Sequence, residues 1–264
     1  MDLGLKAKVA LVLAASKGLG RASAAALAAE GAYVTIGARH TPVLERTAQQ
    51  IRDDSGSRVL AVPTDVTKGE ALEAIVLATI REFGHIDILV NNAGGPPSGI
   101  FETVGDEAWQ AAFEANLLSA VRLIRLVLPH MRPTGGGRII NLVSTSVKEP
   151  IEGLLLSNAL RLGVVGLAKT LSRELAPDHI TVNNVCPGRF LTDRLRQGPT
   201  LQEKMQQGMS EAEALSNMAQ DIPMGRIGHP EELGALVAFL ASKQAGYITG
   251  TTIQIDGGLV RTTF

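Results

Sequence analysis

Residues 9 to 36 carry the pattern that most restricts the fold: an apolar run, a glycine turn, a helical stretch and a second apolar run in unbroken succession. Val9 to Leu13 is apolar throughout, as expected of a strand buried on both faces. It runs into a loop from Ala14 to Gly20, and a helix is expected over Arg21 to Glu30, with a second strand at Tyr33 to Ile36. Two strands joined through a helix lie parallel, and the crossover is right-handed. Glycine at 18 and 20 lets the backbone approach a phosphate, and the following helix N-terminus offers N–H groups and a favourable dipole. Taken alone, the glycine pair is equally consistent with an ordinary tight turn.

Four later segments extend the pattern. Ile86 to Val90 reads as a buried strand ending in an Asn91-Asn92-Ala93-Gly94 turn, and Arg138 to Val143 as another ending at Ser144. Ile180 to Gly188 follows, with Thr192 just beyond it, and Ile248 to Gly258 closes the series. Strand-like and helix-like segments alternate without an internal repeat or a linker. The expected fold is α/β, a Rossmann-type doubly wound parallel sheet forming a single domain over residues 1–264. At 45% hydrophobic residues, a chain of this length can bury one large core. Ligands of such sheets bind outside the carboxyl ends of the strands, where the glycine loop, Asn91 to Gly94, Ser144 and Pro187-Gly188 all fall.

A formal net charge of −1 gives no electrostatic reason to expect nucleic acid or an anionic membrane as a partner. The single cysteine, Cys186, rules out an intramolecular disulfide and is read as a small core residue beside Pro187. No Cys/His cluster suggests a metal. Lys6 and Lys8 ahead of an apolar run imitate a signal peptide, but the run feeds directly into the glycine loop and is better read as the first strand. With no apolar run of membrane-spanning length, a cytoplasmic location is expected.

Taken together, these segments resemble the short-chain dehydrogenase/reductase family, and most closely its 3-oxoacyl-[acyl-carrier-protein] reductase-like branch. The resemblance runs in order through nearly the whole chain. It implies that Ala14, Ser16, Lys17, Gly18, Leu19 and Gly20 cradle the pyrophosphate of a nicotinamide dinucleotide. It further implies that Asp65 and Val66 contact the adenine, that Asn92, Ala93 and Gly94 form the nucleotide wall, and that Pro187, Gly188, Phe190 and Thr192 also bind the cofactor. Ala14 stands where the family has its first loop glycine. In the dinucleotide fold an acidic residue about 20 positions after the loop selects NAD, whereas a nearby arginine accommodates the extra phosphate of NADP. The second strand here leads to Gly37-Ala38-Arg39 with no carboxylate, and Lys17 adds a cation in the loop. NADP(H) is therefore expected over NAD(H), the bland alternative being that both cations are solvated.

In the family an asparagine, a serine, a tyrosine and a lysine act together, and the resemblance implies Asn116 and Ser144 for the first two. Tyrosine exchanges a proton with the substrate oxygen. Lysine holds the nicotinamide ribose and lowers the tyrosine pKa. Counting 13 residues on from Ser144, or back 30 from Pro187, places the tyrosine position at Ser157 and the lysine position at Arg161. The only tyrosines are Tyr33 and Tyr247, both far from this register. An aliphatic hydroxyl is a much weaker acid than a phenol, and a guanidinium, although it can bond ribose hydroxyls, is no geometric copy of an ammonium. Loss of general acid–base catalysis would remove about 10²–10⁴-fold in rate and leave binding and positioning intact.

Residues 189–224 occupy the place of the family's substrate lid. Leu195, Leu201, Met205, Met209, Leu215 and Met218 could line a lipophilic pocket or simply pack helices together. Arg189, Arg194 and Arg196 could meet an anionic substrate or face water. Three functional readings stay open: an NADP(H)-dependent carbonyl/alcohol oxidoreductase with an altered proton relay that involves Ser144, Ser157 and water; a nucleotide-binding protein without redox turnover; and a lyase or hydratase on the same scaffold. The family's habit also implies a homo-oligomer, a tetramer formed through Gly163 to Leu175 and Tyr247 to Asp256, and a small-molecule carbonyl or alcohol substrate.

Overall fold

The computed structural model describes residues 2–263. Strands β1 (Val9–Leu13), β2 (Tyr33–Ala38) and β3 (Val59–Pro63) are joined by helices α1 (Gly18–Ala29) and α2 (Thr41–Ser55). Helix α3 (Gly69–Phe83) leads to β4 (Ile88–Asn91), and α4 (Asp106–Phe113) and α5 (Ser119–Met131) lead to β5 (Gly137–Leu142). Helix α6 (Leu155–Glu174) precedes β6 (Ile180–Pro187). Three short helices, α7 (Asp193–Arg196), α8 (Pro199–Gln206) and α9 (Glu211–Ala219), lie between β6 and α10 (Pro230–Ala241), after which β7 (Thr252–Ile255) ends the sheet.

All seven strands are parallel and join in the order β3-β2-β1-β4-β5-β6-β7. The order reverses between β1 and β4, so the crevice that the fold dedicates to ligands opens beyond their carboxyl ends. One face of the sheet packs through Val12, Ile36 and Val90 on α1, α2 and α10, and the other through Leu11, Leu89 and Ile139 on α3, α5 and α6. Burial on both faces explains why β1 shows no alternation of apolar and polar residues.

The expected bounds of β1 match those observed, and β6 ends at Pro187, one residue before the end of the Ile180 to Gly188 segment. Helix α1 begins at Gly18, three residues before the expected start, because the glycine turn is itself the first helical turn. Helix α6 begins at Leu155, whereas the sequence pattern pointed to a helix from Gly163. Ser157 and Arg161 are therefore helical residues one turn apart on a common face.

Next to the carboxyl edge, the apolar layer under α5 and α6 gives way to a row of amides. Asn91 Nδ2 donates to Asn141 Oδ1 at 2.8 Å, Asn141 Nδ2 to Asn184 Oδ1 at 2.9 Å, and Asn184 Nδ2 to Thr252 Oγ1 at 3.1 Å. The three asparagines are register partners on β4, β5 and β6, each at most 6% exposed. Each amide satisfies the next, which is what makes a buried polar row tolerable. Asn141→Ala strands a donor on Asn91 and an acceptor on Asn184. The expected loss is about 2–4 kcal/mol of unfolding free energy, measured by urea denaturation followed by circular dichroism.

Candidate active site

The glycine loop leaves β1 through Ala14, whose φ of 47° lies in the left-handed region that favours glycine. The loop thus keeps a glycine-like path in spite of the methyl group. Gly20 has no such choice: a Cβ there would stand 2.7 Å from Asn92 Nδ2 and press on the Ala14 carbonyl. Asn92 Nδ2 donates to that carbonyl at 3.3 Å, so the turn after β4 and the loop after β1 are one unit. The Ser16 carbonyl accepts from Thr47 Oγ1 on α2 at 2.8 Å, which fixes the outer side of the loop. Leu19 packs on the core beneath it.

Beyond β2, Arg39 is exposed. Its charge reaches Asp65, whose carboxyl is held below its usual value chiefly by the backbone hydrogen bond from Thr67, then by the Thr67 hydroxyl and by Arg39. Val66 packs against the core layer of α3. Arg39, Asp65 and the glycine loop therefore surround the ends of β1, β2 and β3.

On the far side of β1, Asn116 sits in a π-helical turn (Glu114–Leu118) between α4 and α5. Such insertions concentrate at functional sites because they turn one side chain out of the helical ladder. Asn116 Nδ2 donates to the Ala112 carbonyl at 3.2 Å, whereas its buried Oδ1 has no partner among the described residues. Asn91 Oδ1 is in the same position. Asn91, Asn116 and Arg161 line a cavity of about 20 Å³, enough for one water molecule.

Ser144 lies two residues beyond the end of β5, and its hydroxyl accepts from the Ser146 N–H at 3.1 Å. The Ser146 hydroxyl lies 3.1 Å from that of Ser157, so the three serines form one hydrogen-bonded set. Ser146 was not singled out in the sequence, where only a turn following Ser144 was visible. Arg161, 9% exposed, donates from Nη1 to the carbonyls of Leu142 and Val143 at 2.9 and 3.0 Å. No carboxylate pairs with it among the described residues. Burial, with the nearby Arg194 charge, pulls its pKa down to about 10, which leaves it cationic at neutral pH. Cys186 packs with Val143 and Val164, and burial pushes its thiol up to about 12. It is a core residue, as its sequence context implied.

Residues 189–224 close over this edge. Leu201, Ala214 and Met218 form a small core of their own with Leu195, Met209 and Leu215. Those side chains hold α7, α8 and α9 together and do not form the wall of an open pocket; Met205 alone of the six is exposed. The arginines are ties as well. Arg189 bonds the Met218 carbonyl and Asp221, and Arg196 bonds Glu211 at 2.9 Å. Arg194 donates to the carbonyls of Gly95 and Pro96 at 3.1 and 3.3 Å, which fastens the lid to the turn after β4. Lys17 pairs with Asp193 at 3.0 Å, both exposed, and Thr192 packs beside Gly18 while capping α7. Gly188 packs on Asp256, and the Phe190 ring is buried against Gly228. Pro187 is the last residue of β6, and Ala93 and the exposed Gly94 continue the β4 turn.

A glycine loop, a reversal of strand order and a serine–asparagine set at adjoining strand ends define a dinucleotide-binding scaffold of the oxidoreductase class. The family model described as Enoyl-(Acyl carrier protein) reductase matches residues 13–260. A 3-oxoacyl-[acyl-carrier-protein] reductase of Vibrio cholerae is 39% identical over 257 residues, covering 97% of this chain and 99% of that protein. The corresponding Escherichia coli reductase is 38% identical over 257 residues, with the same coverage of 97% and 99%. Among solved structures, the L-sorbose reductase of Gluconobacter frateurii, complexed with NADPH and L-sorbose, superposes with a TM-score of 0.95 at 35% identity over 99% of this chain and 100% of that one. The chain belongs to the short-chain dehydrogenase/reductase family.

Arg194 reaches its two carbonyls only because residue 95 lacks a side chain, since a Cβ there would collide with the guanidinium. Gly95→Ala is expected to release α7 and to hasten tryptic cleavage after Arg194 or Arg196 about fivefold, equivalent to the loss of about 1 kcal/mol of hydrogen bonding. Mass spectrometry of timed digests measures it.

Proposed function

We propose that this protein is an NADP(H)-dependent oxidoreductase of small carbonyl and alcohol substrates, in which a serine set with an associated water does the work of the family's tyrosine and lysine. The observation that carries this reading is the hydrogen-bonded set Ser144–Ser146–Ser157, placed at the end of β5 beside a buried cation, Arg161, and an unpartnered acceptor, Asn116 Oδ1. The residues present suit the dinucleotide. The backbone space kept by Gly20 admits a pyrophosphate, Arg39 stands at the end of β2 without a competing carboxylate on that strand, and Lys17 within the loop adds a second cation, paired here with Asp193 of the lid. The NADPH complexes of the sorbose reductase and of an actinorhodin polyketide ketoreductase variant, the latter 34% identical with a TM-score of 0.89, support the choice of cofactor.

When bound, the nicotinamide supplies or accepts the hydride. Ser144 orients the substrate oxygen, and Ser157, held by Ser146, exchanges a proton with it. A water between Asn116 and Arg161 restores that proton. The Arg161 charge, which no carboxylate neutralises, favours negative charge on the substrate oxygen. An aliphatic hydroxyl is a poor acid, so turnover is expected to be slow. Because Arg161 is committed to two main-chain carbonyls, a second reading is nucleotide binding without turnover. We also propose a single domain over residues 1–264 and a homotetramer formed through the outer face of α6, where Leu162 is half exposed, and the Tyr247 to Asp256 segment.

The test is a panel of carbonyls and alcohols followed by nicotinamide absorbance. Slow turnover supports the first reading, and saturable binding with no absorbance change on any substrate supports the second. The double variant Ser157→Tyr with Arg161→Lys is expected to speed carbonyl reduction by up to about 10²–10⁴-fold, with either single change much less effective. A double variant that folds, binds cofactor and substrate and gains nothing refutes the assignment of positions 157 and 161.

Cofactor choice is tested by Arg39→Asp. A charge-assisted contact to the 2′-phosphate contributes about 1.5–3 kcal/mol. The ratio of NADPH to NADH affinity should therefore fall by roughly 10–150-fold in the variant, read by fluorescence titration. Equal affinities in the unmodified protein contradict the assignment.

A further inference from the structure

A cavity of about 820 Å³ lies at the opposite pole from the crevice, under the amino ends of β4, β5 and β6. Its volume is that of a small-molecule site. Its charges are unbalanced. Asp87 faces it but is saturated, Oδ1 by Lys8 Nζ at 2.8 Å and Oδ2 by the Val9 N–H at 2.8 Å and His85 Nε2 at 2.9 Å. Arg138 and Lys243 also line it, and neither meets a carboxylate among the described residues.

Arg138 is half-buried yet bonded only to main-chain carbonyls, from Nε to Ser242 at 3.3 Å and from Nη1 to Gly137 at 3.0 Å. Those bonds hold the guanidinium plane and leave Nη2 without a partner among the described residues. Burial draws the Arg138 pKa below its ordinary value, and the Asp87 charge opposes that in part. A Cβ added to Gly246 would stand 3.1 Å from the Lys243 carbonyl and 3.5 Å from Arg138 Nη2, which puts the free end of Arg138 beside the turn that carries Lys243. Two cations that bond no carboxylate among the described residues thus line one cavity of a chain whose net charge is −1.

We propose that this cleft binds a small phosphomonoester, with the dianionic phosphate between Arg138 and Lys243. The guanidinium, prepositioned by its carbonyl bonds, offers Nη2 to one phosphate oxygen, and the flexible ammonium suits the others. The volume exceeds the needs of an inorganic anion and leaves room for an organic portion.

The test uses isothermal titration of the full-length protein, saturated with NADPH so that the dinucleotide crevice does not compete, with inorganic phosphate and with glycerol 3-phosphate as separate probes. Glycerol 3-phosphate should bind more tightly than phosphate. Lys243→Glu and, independently, Gly246→Asp, which sets a carboxylate beside Arg138 without removing its structural bonds, should each weaken binding at least about tenfold. Lys17→Gln and Arg39→Asp, titrated in the same way, should leave it unchanged. Absence of binding in the unmodified protein overturns the proposal. So does equal binding by the Lys243 and Gly246 variants, or a loss that follows Lys17 or Arg39. Phosphate binding as tightly as the ester reduces the site to a plain anion site and overturns the phosphomonoester assignment. None of these outcomes depends on whether Ser157 and Arg161 support turnover.

Discussion

The amides that run from Asn91 through Asn141 and Asn184 to Thr252 hold the carboxyl edge of the sheet in register, and the candidate site hangs from that edge. Ser144 lies three residues beyond Asn141, Pro187 three beyond Asn184, and Asn92 directly follows Asn91. A parallel sheet has no hairpins to set its register. Apolar layers alone fix which face is buried more firmly than they fix the longitudinal offset of one strand against the next. Directional hydrogen bonds between register partners supply what packing lacks, and a buried chain of them tolerates no missing member.

The chemistry at this edge is unusual for its cationic, hydroxyl-rich character. Arg161 is buried without a carboxylate, its cost offset by the Leu142 and Val143 carbonyls that it accepts as partners. Those carbonyls lie at and just beyond the end of β5, so Arg161 ties α6 to that strand end. The resolved pKa values at the site, about 10 for Arg161 and about 12 for Cys186, both lie well above neutrality.

The lid is held by a few polar ties to the walls and by its own small core, not by deep burial against the sheet. Lys17–Asp193 and Arg194 with Gly95 and Pro96 are exposed or half-exposed contacts, the kind that break at little cost. The candidate site lies at the carboxyl edge of the sheet, whereas the cleft lined by Arg138 lies at the amino edge.

The fold was legible because burial on both faces of a parallel strand writes an apolar run, and β1 could be bounded to the residue. The glycine loop was legible because close backbone approach tolerates almost no side chain at Gly20. The departures at Ser157 and Arg161 were also visible, by counting from Ser144 and Pro187. Other features were not. Ser146 joins the set only because the turn after β5 folds its hydroxyl towards α6, and the Lys17–Asp193 bridge spans two loops far apart in sequence. The lid hydrophobics could not be divided between pocket and packing from their spacing, since both uses need the same periodicity. Nor did any motif announce the cleft at Arg138 and Lys243, which arises where strand starts and a helix end converge. Sequence determined the elements and their order, because these follow from local pattern and burial. Tertiary structure alone decided which polar groups meet, because hydrogen bonds and ion pairs depend on distances that chain separation does not encode.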